Sequence, residues 1–159
     1  WMLSGVVPSL IYYGLQIIRP EVFLVASCVI SALVSVMTGS SWTTIATIGI
    51  ALMGIGQAFG FHEGWIAGAI ISGAYFGDKI SPLSDTTVLA SSAAEVTLFT
   101  HIRYMLITTL PSFVVALVVF SIAGWGTAGV TDHQVDAFAH ALNVRFCITP
   151  WLLLVPIIL

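Results

Sequence analysis

The sequence predicts an all-α fold of several membrane-spanning helices, and three observations carry that prediction. The 159 residues are 58% hydrophobic and 7% charged. Mean hydropathy is +1.08. The apolar residues fall in runs that approach the roughly 20 residues a helix needs to cross a hydrocarbon core about 30 Å thick. A soluble domain carries about 25% charged residues, and with so few a soluble fold would expose too much apolar surface to stay dispersed. A net charge of −3 gives no basic patch for nucleic acid. The two cysteines, Cys28 and Cys147, lie in apolar stretches without a CxxC partner, so both read as free core thiols.

The elements follow in order. Residues 1–18 form a first transmembrane helix, which Arg19, Pro20 and Glu21 end at an interface. Residues 22–61 are apolar but interrupted at Thr38-Gly39-Ser40-Ser41-Trp42-Thr43-Thr44. Each arm is shorter than a usual span, so the stretch reads as a re-entrant hairpin with a small polar tip. Two ordinary helices joined by a loop are the alternative. Short spans interrupted by glycine are a pointer to a transporter's binding site. Glycines 56, 60, 64 and 68 match the small-xxx-small spacing of packed membrane helices, although a turn falls among them.

Residues 65–94 read as one discontinuous transmembrane helix. Wound throughout, it would be about 45 Å long, more than the membrane needs. The polar string Gly77-Asp78-Lys79-Ile80-Ser81-Pro82-Leu83-Ser84-Asp85-Thr86-Thr87 supplies an unwound middle. Glu95 to Arg103 reads as a polar connection, residues 104–125 as a full span with Pro111 inside it, residues 126–145 as a loop, and residues 146–159 as the start of a further helix. Both ends of the chain lie inside apolar runs, which reads as a segment of a longer protein. Lys and Arg are spread over different loops, so no orientation follows.

Charge inside a membrane segment is costly, and it persists where it faces a cavity, a partner or an ion. Asp78 and Asp85 stand in the proposed break with Lys79 between them. Pro82 bars a regular helix there and frees carbonyl oxygens. Ser81, Ser84, Thr86 and Thr87 add hydroxyls, as do Ser40, Ser41, Thr43 and Thr44 at the hairpin tip. Carboxylate, carbonyl and hydroxyl oxygens suit a hard cation. A plain loop between two helices is the bland alternative for residues 77–87. Against it, the apolar run after the break is too short to cross before Glu95. Lys79 is read as neutralising one aspartate. His62, Glu63, His101, His133 and His140 read as wet turn or loop residues.

The strings Thr38 to Thr44, Ile48-Gly-Ile-Ala-Leu, Gly73 to Thr87 and Phe99-Thr-His-Ile-Arg resemble the NhaC family of sodium/proton antiporters, and the likeness covers most of the chain. The resemblance implies a fragment of an inverted-repeat transporter in a bacterial inner membrane, multi-pass, whose second repeat this chain lacks. It implies an ion site drawn from Ser40, Ser41, Thr43, Thr44, Asp78, Ser81, Ser84, Asp85, Thr86 and Thr87, with Na+ at Asp85 and Asp78. It implies no cofactor beyond the transported Na+ and H+, and the lipid bilayer as partner, with a homodimer left open. Some relatives exchange malate for lactate with coupled ions, so the substrate stays open.

The expected activity is exchange of Na+ for H+ through one shared carboxylate, and Asp85 is the expected carrier because Ser84, Thr86 and Thr87 surround it. Asp78 is the rival. The second expectation is an organic-acid exchanger, its anion held at half-helix N-termini near Thr43 and Thr87. An enzyme is not expected. There is no HExxH or GxSxG, and the acids and hydroxyls lack a histidine partner at the breaks.

Overall fold

The computed structural model describes residues 6–125, which form helices joined by short turns. Helix α1 spans Val6–Ile17. A 3-10 turn, Pro20–Val22, leads into α2, Phe23–Thr38. The chain reverses at Gly39 and Ser40, then runs through α3 (Ser41–Thr44), a π-helical stretch (Ile45–Gly49) and α4 (Ile50–Ala58). Helix α5 is Glu63–Ile80, α6 is Asp85–Ala93 and α7 is Leu98–Trp125. The described residues contain no strand. The expected loop at 126–145 and the helix beginning at 146 lie outside them, as do Cys147, His133 and His140.

Local chemistry explains the punctuation. Gly39 closes α2 in the left-handed region, φ 69° and ψ 18°, and donates its N–H to the Ser35 carbonyl. A residue without Cβ is favoured there. Ser40 then caps α3, its Oγ accepting from the Thr43 N–H at 3.3 Å. Backbone angles stay helical at Thr44, Ile45, Gly49 and Ile50, so residues 41–58 form one helical arm widened by the π turns. His62 caps α5, its Nδ1 accepting from the Gly64 N–H at 3.1 Å.

Four boundaries differ from the sequence expectation. The break in the discontinuous helix covers only Ser81–Ser84. Residues 77–80 stay helical because Pro82 pushes only the residue before it, Ser81, into extended backbone (φ −72°, ψ 129°). Asp85 to Thr87 are already the first turn of α6, where a carboxylate complements the helix dipole. The run Leu98 to Arg103 is not a connection but the start of α7, and the helix continues through Pro111. The first hairpin arm is also longer than expected. With its lead-in turn it has 19 residues, long and apolar enough to cross a membrane, as α7 is.

Helices α2 and α5 make the closest packing. Their facing residues are small and buried: Ser27, Cys28, Ser31, Ala32 and Ser35 on α2, and Ala69, Gly73 and Gly77 on α5. A Cβ on Gly73 would overlap the Cys28 carbonyl oxygen, and one on Gly77 the Ala32 carbonyl oxygen. Close approach through small residues is how membrane helices associate without a hydrophobic drive. Glycines 73 and 77 therefore hold the position that the 56-to-68 spacing suggested. Within that spacing, Gly60 is a turn residue at φ 74°. Ser35 donates to the Ala74 carbonyl at 2.6 Å. At the other end of this pair, Phe23 packs edge-on against Phe59 with centroids 5.4 Å apart. Gly124 of α7 lies against Glu21 at the same end.

Candidate functional site

The hairpin tip and the break in the discontinuous helix meet. A Cβ on Gly39 would lie 2.6 Å from the carbonyl carbon of Leu83 and 2.7 Å from its oxygen. Ser81 binds the break to the other strand of this contact. Its hydroxyl donates to the Val36 carbonyl at 2.7 Å and accepts from the Leu83 N–H at 3.2 Å. Both of these bonds of the buried hydroxyl go to backbone.

Asp78, on the last turn of α5, sits where the two polar islands converge. Its Oδ2 accepts from Ser41 at 2.9 Å and its Oδ1 from Ser84 at 2.7 Å. Ser84 shares a further hydrogen bond with the Thr86 hydroxyl at 2.9 Å. Ser84 is fully buried and Ser41 is 2% exposed, while Asp78 itself is half-buried. One carboxylate ringed by hydroxyls offers a single negative charge and several neutral oxygens. That set balances one monovalent cation or one proton.

The remaining residues named from the sequence have other surroundings. Thr87 donates to the Asp78 and Lys79 carbonyls at 3.2 and 3.3 Å, which satisfies the open end of α5. Thr44 donates to the Ser40 carbonyl at 2.9 Å, and Thr43 to the Ser40 hydroxyl at 3.1 Å. These bonds build the tip. Asp85 is exposed, and its Oδ1 accepts from the Thr86 N–H at 2.8 Å. It has no hydrogen bond to Asp78, Ser41 or Ser84 among the described residues. Lys79 is exposed and faces a cleft between α5 and α7. It forms no hydrogen bond to either aspartate among the described residues. His62 and Glu63 are exposed turn residues, as expected, with Glu63 accepting from Gln57 at 3.0 Å. Cys28 is a buried free thiol.

Sequence reasoning passed over two contributors. Thr38, the first residue of the polar island, meets Thr44 hydroxyl to hydroxyl at 3.2 Å. Thr47, on the π stretch, donates to the Thr43 carbonyl at 2.7 Å. Their polarity was visible in the sequence. The π turns that carry Thr47 were not, because i→i+5 pairing has no distinct apolar pattern.

Comparison with known proteins finds antiporters of more than one named substrate. The profile of the Na+/H+ antiporter family matches residues 4–97 and 73–159. The Na+/H+ antiporter NhaC of Alkalihalophilus pseudofirmus is 48% identical over 99% of this chain and 34% of its own length. The malate-2H+/Na+-lactate antiporter of Bacillus subtilis is 45% identical over 97% of this chain and 33% of its own length. The arginine/ornithine antiporter ArcD of Halobacterium salinarum is 44% identical over 78% of this chain and 26% of its own length. The chain thus spans about a third of the length of the first relatives it matches. No solved structure matches it.

Proposed function

Because the chain belongs to the Na+/H+ antiporter family, we propose that it forms the ion-exchanging part of a secondary transporter in which Na+ and H+ compete for Asp78. The observation that carries this reading is the carboxylate of Asp78 held by Ser41 of the hairpin and Ser84 of the break. Two polar islands 37 residues apart in sequence converge on one acid. A carboxylate takes a proton or a sodium ion but not both, so one site suffices for exchange once it opens alternately to each side.

Depth in the membrane supports the same reading. Lys79, next to Asp78, lines a cleft with Thr108 and Thr109, which stand inside the 28-residue α7. Thr109 is about 16 Å from the Leu98 end and about 24 Å from the Trp125 end of that helix, at 1.5 Å per residue. The site is then interior to a helix longer than the hydrocarbon core, in an inner membrane that the chain crosses several times. On this reading the hairpin tip, which touches the break at Leu83, lies at the same depth. Ser41, Ser84 and Thr86 complete the ion's coordination. Asp85 stands at the exposed edge, where it draws cations toward the site.

Proton flux driven by a sodium gradient in vesicles containing the intact transporter tests this. Asp78→Asn should abolish exchange, and Asp85→Asn should slow it. Undiminished exchange in Asp78→Asn would remove the assignment. A second reading, an organic-acid or amino-acid exchanger on the same scaffold, is favoured by the activities for which two relatives are named. It predicts proton movement only when an organic acid accompanies sodium.

A further inference from the structure

Lys79 brings a charge to the cleft between α5 and α7 that nothing there balances. The cleft lining contains no carboxylate. Asp78, its neighbour in sequence, is engaged by Ser41 and Ser84. The Lys79 ammonium is exposed and has no hydrogen bond or ion pair among the described residues.

The cleft itself has the form of a seat for a helix. Ser72, Phe76 and Lys79 stand at i, i+4 and i+7 on α5, one face of that helix along about 10 Å. Thr109, Ser112 and Phe113 line it from α7 at i, i+3 and i+4. Phe76 and Phe113 stack at 4.0 Å and 12°, a flat apolar contact between the two walls. Ser72, Thr109 and Ser112 are small, and small residues let a third helix approach closely in a membrane.

Three occupants compete for this seat. Lipid tails would leave the ammonium unpaired at the depth argued above, where charged side chains pair with one another or face water. A second copy seated symmetrically would bring Lys79 toward Lys79 with no carboxylate between them. The third occupant is the remainder of the transporter. This chain covers 34% and 33% of the first two relatives, so they run to about three times its length.

We propose that the α5–α7 cleft seats a transmembrane helix from the part of the transporter beyond these 159 residues, and that this helix carries an aspartate or glutamate that pairs with Lys79. The proposal goes beyond the exchange reading. It shares with that reading only the membrane depth and uses no assignment of the ion.

The test places p-benzoylphenylalanine at Ser112, and separately at Thr109, in the intact transporter in its membrane, and identifies the photo-crosslinked peptides by mass spectrometry. The expected product is an intramolecular crosslink to an apolar peptide beyond these 159 residues that contains an aspartate or glutamate. Crosslinks only to lipid, to a second copy or within residues 1–159 would overturn the occupant, as would none at either position. Thermal unfolding of the purified intact transporter reads the pair. Lys79→Gln and neutralisation of the identified acid should each lower the melting temperature by several degrees, and the two together by less than the sum. Lys79→Arg should keep most of the stability. A loss in Lys79→Arg as large as in Lys79→Gln, or additive losses in the double variant, would overturn the pairing. Sodium-driven proton flux in Asp78→Asn tests the exchange reading on its own, so failure of one is told apart from failure of the other.

Discussion

The Ser41 hydroxyl donates to Asp78 Oδ2 at 2.9 Å, joining a hairpin tip to the end of a helix 37 residues later in the chain. That bond crosses the α2–α5 packing and ends on the carboxylate that Ser84 holds from the other side. Both carboxylate oxygens of Asp78 are thus engaged, one from each polar island.

Removal of one hydroxyl should therefore weaken the ion without destroying the fold. A hydrogen bond to a charged group contributes about 1.5–3 kcal/mol. Ser41→Ala and Ser84→Ala should each raise the half-saturating sodium concentration for proton flux by roughly tenfold or more. Unchanged sodium dependence in both variants would mean that these hydroxyls do not serve the ion.

Ser81 should behave differently. Its buried hydroxyl donates to the Val36 carbonyl and accepts from the Leu83 N–H. Ser81→Ala leaves those groups unpaired at a cost of about 1–3 kcal/mol each at most. The expected outcome is a lower melting temperature and slower flux with a nearly unchanged half-saturating sodium concentration. A large rise in that concentration would instead make Ser81 a ligand.

Gly39 should tolerate no side chain. Its φ of 69° costs an L-residue about 1–2 kcal/mol. An added Cβ would also sit 2.6 Å from the Leu83 carbonyl carbon. Gly39→Ala should separate tip from break and depress both melting temperature and exchange. An alanine variant as stable as the parent in detergent would count against the contact.

The glycines of α5 allow an internal comparison. Gly73→Ala drives a methyl into the Cys28 carbonyl oxygen, whereas at Gly68 the nearest atom to an added Cβ is 3.8 Å away on the Phe120 ring. Thermal unfolding in detergent should show Gly73→Ala strongly destabilised and Gly68→Ala close to the parent. Equal melting temperatures would show that α2 and α5 do not pack this closely.

Composition and local chemistry, both legible in the sequence alone, settled the helical class and its interruptions. Low charge and apolar runs gave helices for a membrane. Thr38 to Thr44 marked a reversal, because Gly39 accepts a left-handed φ and Ser40 caps the helix after it. Pro82 marked an interruption. The resemblance then pointed to the family that the comparisons show. Tertiary structure alone decided which aspartate is enclosed. Asp78 and Asp85 look alike along the chain, each close to serine and threonine. Their difference is made by α2, whose small buried face lets α5 approach until Ser41 reaches Asp78, while Asp85 begins a new helix on the exposed side. The same approach set the Ser81 and Thr87 hydroxyls against backbone carbonyls, because which acceptor a hydroxyl meets depends on what lies within about 3 Å, and no spacing in one dimension records that.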